Sequence, residues 1–153
     1  MKADWQTTPL VLAGMLCLAL ALMHLEIIYI GAPGYRYFGA GEQMAMLAEE
    51  GSWLPGLLTA GVALLLGAFA AYAFSGSGII RRLPWLRFML LLICGIFLLR
   101  GLAAFPQALA LLGGTETSAK DFSFSLVSLV VGLLFAWGLR IRWRLLKSQA
   151  NDA

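Results

Sequence analysis

Four apolar stretches constrain this chain more than any other feature. They run roughly 9–30, 53–74, 85–105 and 122–141. A hydrocarbon core of about 30 Å takes about 20 residues at a rise of about 1.5 Å each, and every stretch has that length. Lipid offers no partner to backbone N–H and C=O groups, so segments crossing it must be helices. The first connector is long for a helical hairpin, and no stretch of the chain is left for a separate soluble domain. The expected fold class is therefore all-α, an integral-membrane antiparallel four-helix bundle forming one domain over 1–153. Composition agrees: 61% of residues are hydrophobic and only 12% charged, against about 25% charged in a soluble domain.

The start, Met-Lys-Ala-Asp-Trp-Gln, has one charge of each sign. The apolar run after it is too long for a signal-peptide core and has no small-x-small exit, so it reads as the first span. Orientation follows from the basic residues. Arg81, Arg82 and Arg87 mark the second connector, and Arg140, Arg142, Arg144 and Lys147 mark the C-terminal end. The other two connectors hold Glu42, Glu49, Glu50, Glu116 and Asp121 against Arg36 and Lys120. Cytoplasmic loops carry the excess of Lys and Arg, so both termini are expected in the cytoplasm and the acidic connectors outside. Trp5, Tyr35, Tyr37, Trp53, Trp85, Trp137 and Trp143 fall near span ends, as interfacial aromatics do.

Small residues form stripes. Gly56, Ala60, Ala63, Gly67 and Ala71 recur at spacings of three and four in the second span, and Ser125, Ser128, Gly132 and Ala136 in the fourth. Such stripes let helix backbones approach closely within the bundle, or in a homodimer. Ser52 suits a helix cap with Pro55 in the first turn. Pro106 is placed to kink or end the third span, with a short helix over 107–112 beyond it. The first outer connector is rich in Gly and aromatics. Within it, 41–50 predicts a short amphipathic helix with Met44, Leu47 and Ala48 on one face, lying as a lid in the outer interface.

Charge inside a span is costly and needs a partner. Glu26 and Arg100 lie about 10 and 6 Å outward of their span midpoints, so an ion pair at matching depth is expected, with His24 nearby. The candidate ligand-binding residues are His24, Glu26, Arg100, Glu42, Tyr35 and Arg36, the makings of an outward-facing polar pocket beneath the lid. No cofactor or metal is expected: one histidine and scattered carboxylates match neither zinc nor di-iron spacing. Cys17 and Cys94 sit in apolar runs without a CxxC motif and read as small packing residues. The Arg-Ile-Arg-Trp-Arg run at 140–144 suits anionic lipid better than nucleic acid. No phosphate loop, nucleophile elbow or dinucleotide fingerprint is present.

The pattern His24-x-Glu26, Pro33-Gly-Tyr-Arg-Tyr-Phe-Gly-Ala-Gly-Glu42, Arg82-Leu-Pro-Trp-Leu-Arg87 and Arg100-Gly101 resembles small uncharacterised bacterial four-span inner-membrane proteins. The resemblance covers most of the chain and implies an inner-membrane location, but no activity. The layout is also similar, in topology alone, to immunity proteins against pore-forming colicins. The leading expectation is a non-enzymatic membrane protein that binds lipid or another hydrophobic molecule, or assists a membrane-protein partner. An immunity protein would have a membrane-targeting toxin encoded beside it. An intramembrane acid/base enzyme would use Glu26, His24 or Glu42.

Overall fold

The computed structural model describes residues 6–113 and 119–148; the side chains of 144–148 are outside that description. Trp5, Gly114, Glu116 and the end of the tail lie outside the described residues, as do the side chains of Arg144 and Lys147. Among the described residues the chain is all-helical, without strands. The order is α1 (Thr8–Ile30), α2 (Ala32–Tyr37), α3 (Glu42–Glu49), α4 (Leu54–Ser77), α5 (Leu86–Leu102), α6 (Ala104–Leu112) and α7 (Ala119–Ser148). Four stretches, Thr8–Ile30, Leu54–Ser77, Leu86–Leu112 and Ala119–Trp143, are long and apolar enough to cross a membrane by length and composition. This is the pattern of a multi-pass membrane protein and is consistent with a helical bundle.

Three boundaries differ from the sequence expectation, each for a local reason. The third apolar stretch is broken between α5 and α6 rather than continuous to residue 105. Pro106 has no N–H to donate to Leu102, and its ring crowds that carbonyl, so the helix ends a turn before it. The chain restarts with Gln107 N–H on Ala103 O at 3.3 Å. The fourth helix runs on through the basic tail to Ser148, where a shorter span ending near residue 141 was expected. Long Arg and Lys side chains are good helix formers and nothing there breaks the helix. The segment after α1, expected as a loop, contains α2. Gly31 takes φ +75°, a left-handed turn without side-chain cost. Pro33 then starts the new helix where no backbone donor is needed.

The chain divides into two compact units, Cys17–Ala68 and Met1–Leu16 with Phe69–Ala153. In the first, α2 and α3 fold against each other around Ile27, Ala32, Tyr35 and Ala45, with Phe38, Met44 and Ala48 packed alongside. The amphipathic helix is α3, and its inward residue is Ala45, fully buried, one position from the expected stripe. Gly51 at φ +77° turns the chain back, so that Ser52 N–H reaches Leu47 O at 2.9 Å and α3 ends in a satisfied cap. Ser52 Oγ accepts from Leu54 N–H at 3.3 Å, the cap expected of it.

In the second unit α5 packs along α7, and glycine sets how closely. A β-carbon on Gly132 would lie 2.8 Å from Leu98, and one on Gly138 would lie 2.5 Å from Leu10. Cys94 Sγ stands 3.5 Å from Gly132 O. Phe97 stacks on Phe135 with ring centroids 6.1 Å apart and meets Phe69 edge-on at 6.1 Å. The small stripe of the fourth span, Ser125, Ser128 and Gly132, is buried as expected, with Ala136 at its margin. In α4 the buried line is Pro55, Thr59, Ala63, Leu66 and Ala70. It shares Ala63 with the small stripe and otherwise runs beside it.

Candidate ligand-binding sites

The polar residues of the first unit gather on α2 and α3. Arg36 Nε donates to both Glu42 oxygens at 3.0 and 3.1 Å, and Nη2 donates to Glu42 Oε1 at 2.7 Å. Its Nη1 donates to Glu49 Oε1 at 2.6 Å, and Nη2 reaches Glu49 Oε2 at 3.2 Å. One guanidinium thus clamps the first and last turns of α3 onto the last turn of α2. Its hydrogen bonds hold the Glu42 and Glu49 carboxyls below the usual carboxylate range and push the Arg36 pKa up. The trio is exposed and carries one cation against two anions. Its fork geometry is filled by its own carboxylates, so it acts as a clasp for the α2–α3 hairpin.

The other expected site residues lie elsewhere. Tyr35 is 2% exposed and serves as the core beneath the clasp. His24 Nδ1 lies 2.7 Å from Leu20 O, one turn back on its own helix, so its polar need is met locally. Glu26 is exposed on α1 in the first unit, and Arg100 is exposed near the end of α5 in the second. Arg36 and Glu42 are the pair of candidates that the fold brings into contact within one unit. Among the described residues no group of three His, Cys, Asp or Glu is placed to hold a metal ion.

A second polar group, in the second unit, was read from sequence only as an orientation signal. The connector between α4 and α5 is tied down at several points. Ser75 Oγ donates to Arg81 O at 3.0 Å and accepts from Leu83 N–H at 2.9 Å. Tyr72 donates to Pro84 O at 3.3 Å. Arg142 Nη1 donates to Gly76 O at 2.7 Å, closing the C-terminal end of α4 from α7. Trp85 then takes a left-handed conformation, φ 55° and ψ 27°, and stands at the start of α5 with no side-chain cap for that helix. A non-glycine residue there is strained, and surrounding bonds must hold it.

This arrangement opens a groove of about 720 Å³ lined by residues 82–88 and 91. Its walls alternate arginine with aromatic and aliphatic side chains. Trp85 is 79% and Phe88 58% exposed. Arg87 lies over the Trp143 ring, 4.2 Å from its centroid, and its Nε is buried without a hydrogen-bond partner, as is that of Arg142. The motif Arg82-Leu-Pro-Trp-Leu-Arg87 was visible in the sequence. Its closure by Tyr72, Ser75, Arg142 and Trp143 was not, because those contacts join positions separated by up to 66 residues.

No protein-family model, curated protein or solved structure matches this chain, and the functional reading rests on these residues.

Proposed function

We propose that this chain is a non-enzymatic, four-span protein of the bacterial inner membrane that binds a lipid-like ligand. It forms an antiparallel bundle with both termini in the cytoplasm. One observation carries the reading: only 28 to 39% of each apolar window is buried within the chain. Large apolar side chains such as Leu64 and Leu99 are therefore left 76% and 72% exposed. Soluble monomers rarely expose contiguous apolar surface on that scale, so lipid is the medium these faces suit. The pairing of Leu98 with Gly132 and of Gly101 with Leu129 supports opposite directions for α5 and α7. Arg81, Arg82 and Arg87, together with Arg140 and Arg142, support an inward-facing end. His24, Glu26, Arg100, Glu42, Tyr35 and Arg36 belong to the outer half. Of these, Arg36 and Glu42 hold the α2–α3 lid shut.

The test is native mass spectrometry of the full chain released from gentle detergent. Lipid retained at fixed stoichiometry supports the reading. Neither a retained lipid nor a retained membrane-protein partner, at protein amounts where the monomer is well resolved, overturns it.

A further inference from the structure

We infer that this chain self-associates in the membrane through Glu26 of one copy and Arg100 of a second copy, a contact that two-fold symmetry repeats. The inference rests on the four-span reading above and adds a partner to it.

The placement of the two charges comes first. Successive helical residues advance by about 100°, so Met15, Leu22, Leu25, Glu26 and Tyr29 share one side of α1. All five are exposed. The carboxylate therefore stands within an apolar stripe that faces away from the chain's own core. On α5, Leu92, Ile96, Leu99 and Arg100 share an exposed side in the same way. Among the described residues neither charged side chain makes a hydrogen bond or an ion pair. Arg100 also lies near the middle of the third apolar stretch, Leu86–Leu112. A charge on a lipid-facing stripe is costly without a partner, and the chain that carries these two offers them none.

Depth permits the contact. Counted from the ends of α1 and α5 placed inward, Glu26 lies about 27 Å and Arg100 about 21 Å along its helix. An arginine stem leaning outward covers that difference of about 6 Å. Two copies inserted in the same direction keep these depths.

Charge complementarity selects the occupant. A second copy offers a carboxylate to Arg100 and a guanidinium to Glu26, and an isologous interface makes both contacts at once. The guanidinium fork matches a carboxylate with paired hydrogen bonds. An anionic lipid would satisfy Arg100 and leave Glu26 alone. Tyr29 and Leu99, 93% and 72% exposed, flank the two charges and give the second copy apolar surface to pack on. Interhelical polar contacts of this kind help hold membrane helices together.

Energy transfer tests the inference. Full chains carrying a donor or an acceptor at the C-terminus are reconstituted in phosphatidylcholine vesicles, and transfer is followed against protein density. Wild type should show transfer that rises with density and saturates. E26R or R100E alone places like charges at both contacts and should weaken association by roughly tenfold or more. Mixing E26R donors with R100E acceptors restores opposite charges at both contacts, and association should return to within about threefold of wild type. Circular dichroism shows whether each variant is still helical. If a reversal loses its helices, E26Q and R100Q take its place, each expected to weaken association about fivefold; unchanged association in both overturns the contact. Recovery in E26R/R100E chains but not in the mixture means that the pair closes within one chain and overturns the inference. Reversals that associate like wild type overturn it, as does a loss that neither the mixture nor the double variant recovers. Wild type that stays monomeric at every density overturns it as well. In these cases protein that floats with the vesicles keeps the membrane reading, whereas a chain that fails to float loses both.

Discussion

A β-carbon placed on Gly101 would stand 2.5 Å from the Cα of Leu129 and 2.7 Å from its backbone nitrogen. Both are backbone atoms, so no rotamer change can make room. The spacing of α5 and α7 at this level depends on the missing side chain of Gly101, as small residues allow at membrane-helix contacts.

Gly101→Ala should therefore force the helices apart and destabilise the protein by about 1–3 kcal/mol, the usual range for overpacking. Gly95 has nothing within 4 Å of its built β-carbon, so Gly95→Ala serves as the control and should be neutral or slightly stabilising, since alanine is the better helix former. Thermal unfolding in detergent reads both. Equal midpoints for the two variants would contradict this close approach.

Ser75 makes two hydrogen bonds with one hydroxyl, to Arg81 O and from Leu83 N–H. Ser75→Ala leaves both connector groups without that partner, at a cost of about 1–3 kcal/mol if they stay desolvated. The connector should loosen before the bundle does. Limited trypsin digestion should cut after Arg81 or Arg82 several times faster in Ser75→Ala than in wild type. An unchanged rate would mean that Tyr72 and Arg142 suffice to hold the segment.

The Arg36 clasp gives a pH dependence with a defined sign. Glu42 and Glu49 are held below the ordinary carboxylate range, chiefly by hydrogen bonds from Arg36. A depressed folded-state pKa contributes stability that is present above the unfolded value, about 4.3. That stability is lost as pH falls through the folded one. Amide exchange in α3, corrected for intrinsic rate, should be flat from neutral pH to about 5 and rise below about 4. The exposed geometry also makes the clasp salt-sensitive. Arg36→Gln should raise exchange at neutral pH and abolish the acid response. A wild-type response centred at neutral pH would assign it to another group.

Orientation can be checked independently of stability. Reporter fusions placed after Arg82 and after Lys147 should report cytoplasm, and one within 113–117 should report periplasm. A periplasmic signal from the Arg81–Arg87 connector would reverse the topology and move the arginine groove to the outer leaflet.

Much of this chain was legible locally. The apolar runs, the Ser52 cap and the α3 amphipathic helix follow from length, periodicity and turn chemistry, which act over a few residues; the short helix expected over 107–112 was found as well, but it starts at Ala104, ahead of Pro106. The α2 helix was obscured because Gly31, Pro33 and Gly34 read as loop residues, whereas Gly31 and Pro33 serve as a helix break and a helix start. The candidate site was only partly legible. Arg36 and Glu42 are six positions apart, and the turn between two short helices joins them. Tyr35, one residue away, points into the core instead.

Hydrophobicity acts residue by residue, so long apolar helices are legible from composition alone, as is the gathering of basic residues in the connector before α5 and at the C-terminal end. Packing is not additive. Whether Gly132 faces Leu98, whether Trp143 lies over Arg87, and whether Trp85 adopts a left-handed turn depend on side chains from distant segments arriving together. The connector before α5 is tied down only once Tyr72 and Ser75 reach Pro84, Arg81 and Leu83 and Arg142 reaches Gly76, contacts that the motif from Arg82 to Arg87 does not announce.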